Sequence, residues 1–352
     1  MLPTVYLQRA VLFLLLAFLV VASLYYAKPF LVPLCFGALL AMLFLPLSRW
    51  LESKKIPRGL AILICVLLLL SLITIIILLI SWQVTDLTQE VGDIQSRVKQ
   101  MVSEIEQFIS TRFGIPVKQQ EKMLQEQAQN GGAVANIGSI LMSFLVDFVL
   151  CMVYIFLFMF YRSRIKNFVL QLVSGRQKDN AQQVIHDIQK VTQQYITGIG
   201  WMILCLWVMY SIGFSIVGVK YAVFFAILCG LLEIVPFVGN LTGNALAILM
   251  VIIQGGGIGM VIGVLVTYAI VQFLQTYLLE PLVVGAGVNI NPLFTIIILV
   301  MGELVWGIPG LILAIPLLGI VKIICDHIEP LKPYGYLIGQ EKKKKRLLIR
   351  RK

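Results

Sequence analysis

The stretch "AVFFAILCGLLEIVPFVGNLTGNALAILMVII", Ala222–Ile253, decides the fold. Nearly all of it is Leu, Ile, Val, Phe or Ala, yet Glu233, Pro236 and Gly239 stand in its middle. About 20 such residues cross a hydrocarbon core as a helix, so this run is too long for one straight span. An ionised carboxylate at bilayer mid-depth costs about 3 kcal/mol, which obliges Glu233 to face protein, water or an ion. Pro236 lacks a backbone N–H and clashes with the turn before it, so the helix bends or breaks there. Gly239 lets the backbone turn, and Asn240 and Asn244 add amides. Free backbone groups at membrane depth are tolerated only where they line a cavity, and such interrupted helices form binding sites in transporters.

The rest of the chain agrees with a membrane setting. Hydrophobic residues make up 59% of the 352 and charged residues 13%, far from the balance of a soluble domain. The apolar runs lack the period-2 alternation of a transmembrane barrel. The sequence therefore predicts an all-α polytopic membrane protein with about eight transmembrane helices. They are Val11 to Ala27, Phe30 to Leu47, Leu60 to Trp82, Ser139 to Tyr161, Ile196 to Val217, Ala222 to Ile253, Ile258 to Leu279 and Leu293 to Cys325. The sixth and eighth are Pro/Gly-broken. The six cysteines lie in or beside apolar runs without a C-x-x-C pair and read as small core residues. His186 and His327 read as solvated side chains in polar flanks.

Lys and Arg concentrate on the cytoplasmic side. Arg49, Lys54, Lys55 and Arg58 follow the second span; Arg162, Arg164, Lys166, Arg176, Lys178 and Lys190 follow the fourth. Both loops belong inside, with Lys220 the exposed exception, and an even span count puts both termini there too. The implied division is 1–82, a three-span region; 83–138, an extracytoplasmic helical insertion; 139–161, the fourth span; 162–195, a basic amphipathic linker; 196–325, a four-span core; and 326–352, a basic tail. In the insertion, apolar residues from Val84 to Phe108 alternate by three and four, a heptad pattern that serves self-packing or contact between subunits of a homo-oligomer. Val184, Ile188, Val191 and Tyr195 form an apolar stripe suited to the inner membrane surface. The tail "EKKKKRLLIRRK" directly follows an apolar helix, so anionic lipid headgroups suit it better than nucleic acid.

The eighth span repeats the theme of the sixth. "MGELVWGIPGLILAIP" places Glu303 and Trp306 beside Gly307, Pro309 and Gly310. Gly218-Val219 and Gly287-Val288, about seventy residues apart, precede the two broken spans. They suggest a repeat of the same orientation, spans five and six against seven and eight. Asp147, within the fourth span, serves as an interhelical polar residue or as a functional one. Gln272, Gln275 and Thr276 share one helical face and read as helix-helix glue. Glu280-Pro281 and Asn289, Asn291 and Pro292 fall at the outer end of the last hairpin as caps and turns. No G-x-x-x-x-G-K-[ST], H-E-x-x-H or G-x-S-x-G occurs, which argues against an enzyme and implies neither catalytic residues, metal ligands nor a cofactor.

The segments "GVKYAVFFAILCGLLEIVPFVGN" (218–240) and "LLEPLVVGAGVNINPLFTIIILVMGELVWGIPGLILAIPLLGIVK" (278–322) resemble the autoinducer-2 exporter family of bacterial inner-membrane permeases. The likeness rests on Gly218-Val219, the Ile234–Gly239 core, the Pro281 and Gly285 spacing, Asn291-Pro292, and the run ending in Ala314-Ile315-Pro316. Glu303 departs from the pattern, since many members carry a small residue there. The resemblance implies export or exchange of small solutes: some members are associated with release of autoinducer-2, others look like sodium(lithium)/proton antiporters. It also implies a multi-pass protein of the bacterial inner membrane.

The expected site lies between the broken sixth and eighth helices. Glu233, Glu303, Asn240, Asn244, Trp306 and Asp147 are its candidate substrate or ion ligands, and Pro236, Gly239, Gly307, Pro309 and Gly310 its breaks or gates. The expected ligand is a small molecule or a monovalent cation. A non-transporting oligomeric scaffold built on the heptad helix is the remaining alternative.

Overall fold

The computed structural model describes residues 4–89, 133–173, 175, 178–235, 238–284 and 290–340. The heptad pattern beyond Gln89, Pro236, Gly287-Val288, Asn289 and the tail from Glu341 lie outside the described residues. The helices are α1 (Thr4–Tyr26), α2 (Lys28–Ser53), α3 (Arg58–Gln89), α4 (Ala133–Phe160), α5 (Arg162–Gln171), α6 (Lys178–Val217), α7 (Ala222–Leu232), α8 (Val238–Ile253), α9 (Ile258–Leu274), α10 (Pro292–Trp306), α11 (Ile308–His327) and α12 (Lys332–Ile338). A π-helical segment, Gln275–Val284, continues α9. Among the described residues the β-structure is one isolated bridge, Ile290 with Gly339.

This is an all-α polytopic membrane protein. Among the described residues, six helices are long and apolar enough to cross a bilayer, and four shorter apolar helices accompany them. Leu12, Phe13, Leu16 and Phe18 of α1, Leu67, Ile75 and Leu78 of α3, and Met142, Phe144 and Val149 of α4 are all exposed. Water would penalise apolar faces of that extent, whereas lipid does not.

The chain divides into two compact units: Met1–Leu63, Val153–Trp201 and Leu279–Lys352 in unit 1, and Ile64–Met152 and Met202–Leu278 in unit 2. In unit 1, α1 and α2 turn at Ala27, and Pro29 occupies the first turn of α2, where its missing N–H is harmless. The eighth span is not one helix but a hairpin, α10 then α11. Asn291 caps α10 by accepting from the Leu293 N–H at 3.0 Å, and the chain reverses at Gly307, whose φ is +69°. A Cβ on Gly310 would lie 1.9 Å from the Gly302 carbonyl oxygen, so the two backbones touch with nothing between them. The hairpin tip meets the α1–α2 turn: Trp306 is buried and its Nε1 donates to the Leu24 carbonyl at 2.9 Å.

From the tip, α11 runs alongside α2, with Val32, Leu39, Trp306 and Leu313 in one cluster. The other end of unit 1 is basic and polar. Arg162 pairs with Glu52 at 2.5 Å, Ser48 donates to Glu52, and Arg58 donates to the Met159 carbonyl. Asn291 lies at this basic end, its N–H donating to the Ile338 carbonyl at 2.8 Å. The turn before α10 therefore sits with the basic loops rather than at the outer end that parity predicted. A hairpin counted as one crossing inverts the side of everything joined to it.

Two smaller expectations also change. Val184, Ile188, Val191 and Tyr195 lie on the continuous helix α6, about 60 Å long at 1.5 Å per residue. Tyr195 is buried, Val184, Ile188 and Val191 are half-buried, and Ile188 faces a groove shared with Ala41 and Leu45, so this stripe turns toward unit 1 rather than lying flat on the membrane surface. His327 is held rather than solvated: its Nδ1 lies 2.9 Å from the Ile323 carbonyl and its Nε2 3.4 Å from Asp187.

Candidate functional site

The site is built in unit 2 from the sixth span, which also folds back on itself. After α7 ends at Leu232, the chain reverses and α8 begins at Val238. A Cβ on Gly239 would fall 1.6 Å from the Leu232 carbonyl oxygen, and one on Gly243 2.9 Å from the Cys229 Cα. Only glycine permits an approach that close. At the open end, the Lys220 N–H donates to Gln254 Oε1 at 2.8 Å. The pairs 232/239, 229/243 and 220/254 define an antiparallel hairpin with Glu233 at its tip.

Helices α6 and α9 supply the walls. A Cβ on Gly213 would touch Thr267, and one on Gly263 would touch Val217. The residue numbers rise on α9 as they fall on α6, so the two run antiparallel. The same-orientation repeat expected from the sequence requires them to be parallel. Each is followed in the chain by a helical hairpin, α7–α8 after α6 and α10–α11 after α9. Apolar periodicity has no direction, which is why the Gly-Val landmarks misled.

The hairpin and α9 meet through side chains. Gln275 Nε2 donates to Glu233 Oε1 at 2.8 Å. One turn away, Asn240 Nδ2 donates to Gln272 Oε1, and Gln272 Nε2 donates to Thr276 Oγ1 at 3.2 Å. Asn244 Nδ2 donates to the Asn240 carbonyl at 2.9 Å and its Oδ1 at 3.0 Å, with the Tyr210 hydroxyl at 3.4 Å. Four of these residues are deeply buried: Gln275 is 2% exposed, Tyr210 2%, Asn244 5% and Asn240 7%. Two oxygens among them, Asn244 Oδ1 and Gln275 Oε1, have no hydrogen-bond partner among the described residues. A buried acceptor left unmet costs about 1–3 kcal/mol. Acceptors held in that condition beside a carboxylate can bind a hydroxyl, an ammonium or a bare cation.

Of the residues singled out in the sequence, Glu233, Asn240 and Asn244 come together here around Gly239. Gln272 and Gln275, expected as glue, do join helix to hairpin, and they also line the network. Tyr210 escaped notice because a lone tyrosine in an apolar span reads as core. Asp147 is exposed on α4. Glu303 and Trp306 belong to unit 1, where Glu303 is exposed and Trp306 anchors the α10–α11 tip to α1. Gly307 and Gly310 form that turn, with Pro309 in the first turn of α11.

Comparison with known proteins agrees with a transport architecture. The signature of the AI-2E family transporter matches residues 12–329. The chain is 24% identical to "Putative transport protein YrrI" of Bacillus subtilis over 322 residues, covering 85% of this chain and 87% of that protein. It is 26% identical to YueF of the same organism, over 82% of each chain. A "Putative transport protein" of Haemophilus influenzae is 22% identical over 95% of this chain and 97% of its own length. With helices, both hairpins and the Glu233 network all inside the matched region, this chain belongs to the AI-2E transporter family of multi-pass membrane proteins.

Proposed function

We propose that the protein is a secondary transporter of the bacterial inner membrane that exports a small polar solute such as autoinducer-2, coupled to an ion gradient. The observation that carries this reading is the largely buried network of Glu233, Asn240, Asn244, Gln272, Gln275 and Tyr210 around a hairpin tip. Amides and a phenol suit a neutral polyhydroxylated solute, because each donates or accepts as a sugar-like hydroxyl demands. The α7–α8 hairpin, a broken span with polar groups at its tip, supports alternating access by movement against α6 and α9.

A second reading, sodium(lithium)/proton antiport, draws on the Gln275 oxygen, without a partner among the described residues, on the side chain that holds the Glu233 carboxylate. A carboxylate that takes either H⁺ or Na⁺ couples the two by competition. Terminal orientation, with both ends cytoplasmic, and a homo-oligomeric state belong to the same proposal.

The test is solute and proton flux in proteoliposomes of the purified protein, with autoinducer-2, Na⁺ or Li⁺ on one side. Autoinducer-2 movement that Asn244→Leu abolishes supports export. Cation-dependent collapse of a pH gradient that Glu233→Gln removes supports antiport. Neither movement in folded, reconstituted protein overturns both readings.

A further inference from the structure

We propose that unit 1 holds one anionic phospholipid, with an acyl chain in an apolar groove between α2, α4, α5 and α6 and the phosphate beside Arg49 and Lys166. The groove encloses about 240 Å³ and is lined by Ala41, Leu45, Met159, Ile165, Val169 and Ile188 among others. Next to it is a second, polar cavity of about 500 Å³ walled by Arg49, Lys166, Asp179, Gln182, Gln183 and His186. Lys166, Ile185 and Gln189 line both, so the two spaces adjoin. An apolar channel ending in cations has the polarity profile of one lipid molecule.

Three further observations favour that occupant. Arg162 lines the groove with a spare donor: its Nη2 is committed to Glu52, while its buried Nη1 has no partner among the described residues. Asp179 is the one carboxylate against Arg49 and Lys166 in the polar cavity, so the wall carries net positive charge. Ile165, Phe168 and Leu172 of the α5 region are exposed on the helix that carries Arg162, Arg164 and Lys166. Apolar residues facing outward among cations place a helix at the headgroup level of a bilayer. An inorganic anion would answer the polar cavity alone and leave the groove unexplained. Basic pockets between helices at that level recruit anionic headgroups.

Native mass spectrometry of the full-length protein in detergent tests this. Phosphatidylglycerol and phosphatidylcholine of identical chains are offered to the wild type, to Arg49→Glu/Lys166→Glu, and to Arg164→Glu as a basic position outside the cavity. All three substituted side chains are exposed, so the variants keep the packing of the unit. The wild type and Arg164→Glu should retain one tightly held phosphatidylglycerol, and the double variant should weaken it about thirtyfold or more. Equal retention of phosphatidylcholine by the wild type, or unchanged binding by the double variant, overturns the proposal. The deacylated headgroup, glycerophosphoglycerol, and inorganic phosphate should compete poorly. If either displaces the lipid efficiently, the groove plays no part and the site is one for a free anion.

Discussion

Gln275 holds the Glu233 carboxylate at 2.8 Å, joining α9 to the tip of the α7–α8 hairpin across forty-two residues of sequence. The same amide keeps its oxygen buried and without a partner among the described residues. One side chain therefore both fixes the carboxylate and offers an acceptor next to it.

Gln275→Ala removes one donor from the Glu233 carboxylate. A hydrogen bond to a charged group contributes about 1.5–3 kcal/mol, so the melting temperature should fall by several degrees. Transport should fall at least about tenfold, the equivalent of 1.4 kcal/mol. Glu233→Gln keeps a polar partner for Gln275 and should lose flux with a near-normal melting temperature. Flux and thermal unfolding measured on both variants separate the two roles.

Gly239→Ala should prevent the hairpin from closing, because its Cβ would occupy the space of the Leu232 carbonyl. We expect little monodisperse protein on size-exclusion chromatography. Gly200→Ala is the control: nothing lies within 4 Å of that position. Adding a methyl in a helix interior there should be neutral or stabilise by up to about 1 kcal/mol.

Trp306 separates anchor from ligand. In Trp306→Phe the indole donation to Leu24 is lost, at a cost of about 1 kcal/mol. Flux per folded protein should stay within about twofold, since the lost bond ties the hairpin tip to α1 and acts on stability rather than on solute. A large loss of flux with an unchanged melting temperature would return Trp306 to the substrate path.

Antiparallel α6 and α9 can be trapped chemically. A Cβ on Gly263 would lie 3.4 Å from the Val217 Cβ, close to the separation a disulfide bridges. With the native cysteines replaced, Val217→Cys/Gly263→Cys should cross-link on mild oxidation. Val217→Cys/Val271→Cys should not, because Val271 lies about 12 Å further along α9. The reverse pattern would restore the parallel repeat.

The sequence made the helices and the position of the sixth-span break legible, because apolar length and Pro236 with Gly239 report on chain conformation alone. It did not disclose the reversal at either hairpin. A bent helix and a helix folded back have the same hydropathy, and the difference lies in the contact of Gly239 with Leu232 and of Gly310 with Gly302. Asn240 and Asn244 were legible as polar groups in an apolar run. Glu303 looked equivalent to Glu233 by spacing, yet it projects from an exposed face of α10. Gln275 was legible as interhelical glue but not its partner Glu233, and Tyr210 needed three dimensions, since its partner Asn244 sits on another helix.

The bare contact between Gly302 and Gly310 has a mechanical meaning. Near the tip the two backbones touch with no side chain between them to flex, so this end of the hairpin behaves as one stiff blade. Any stroke that α10 makes there is made by α11 as well, and the joints of such a stroke lie at the other end of the hairpin, by Asn291 and His327.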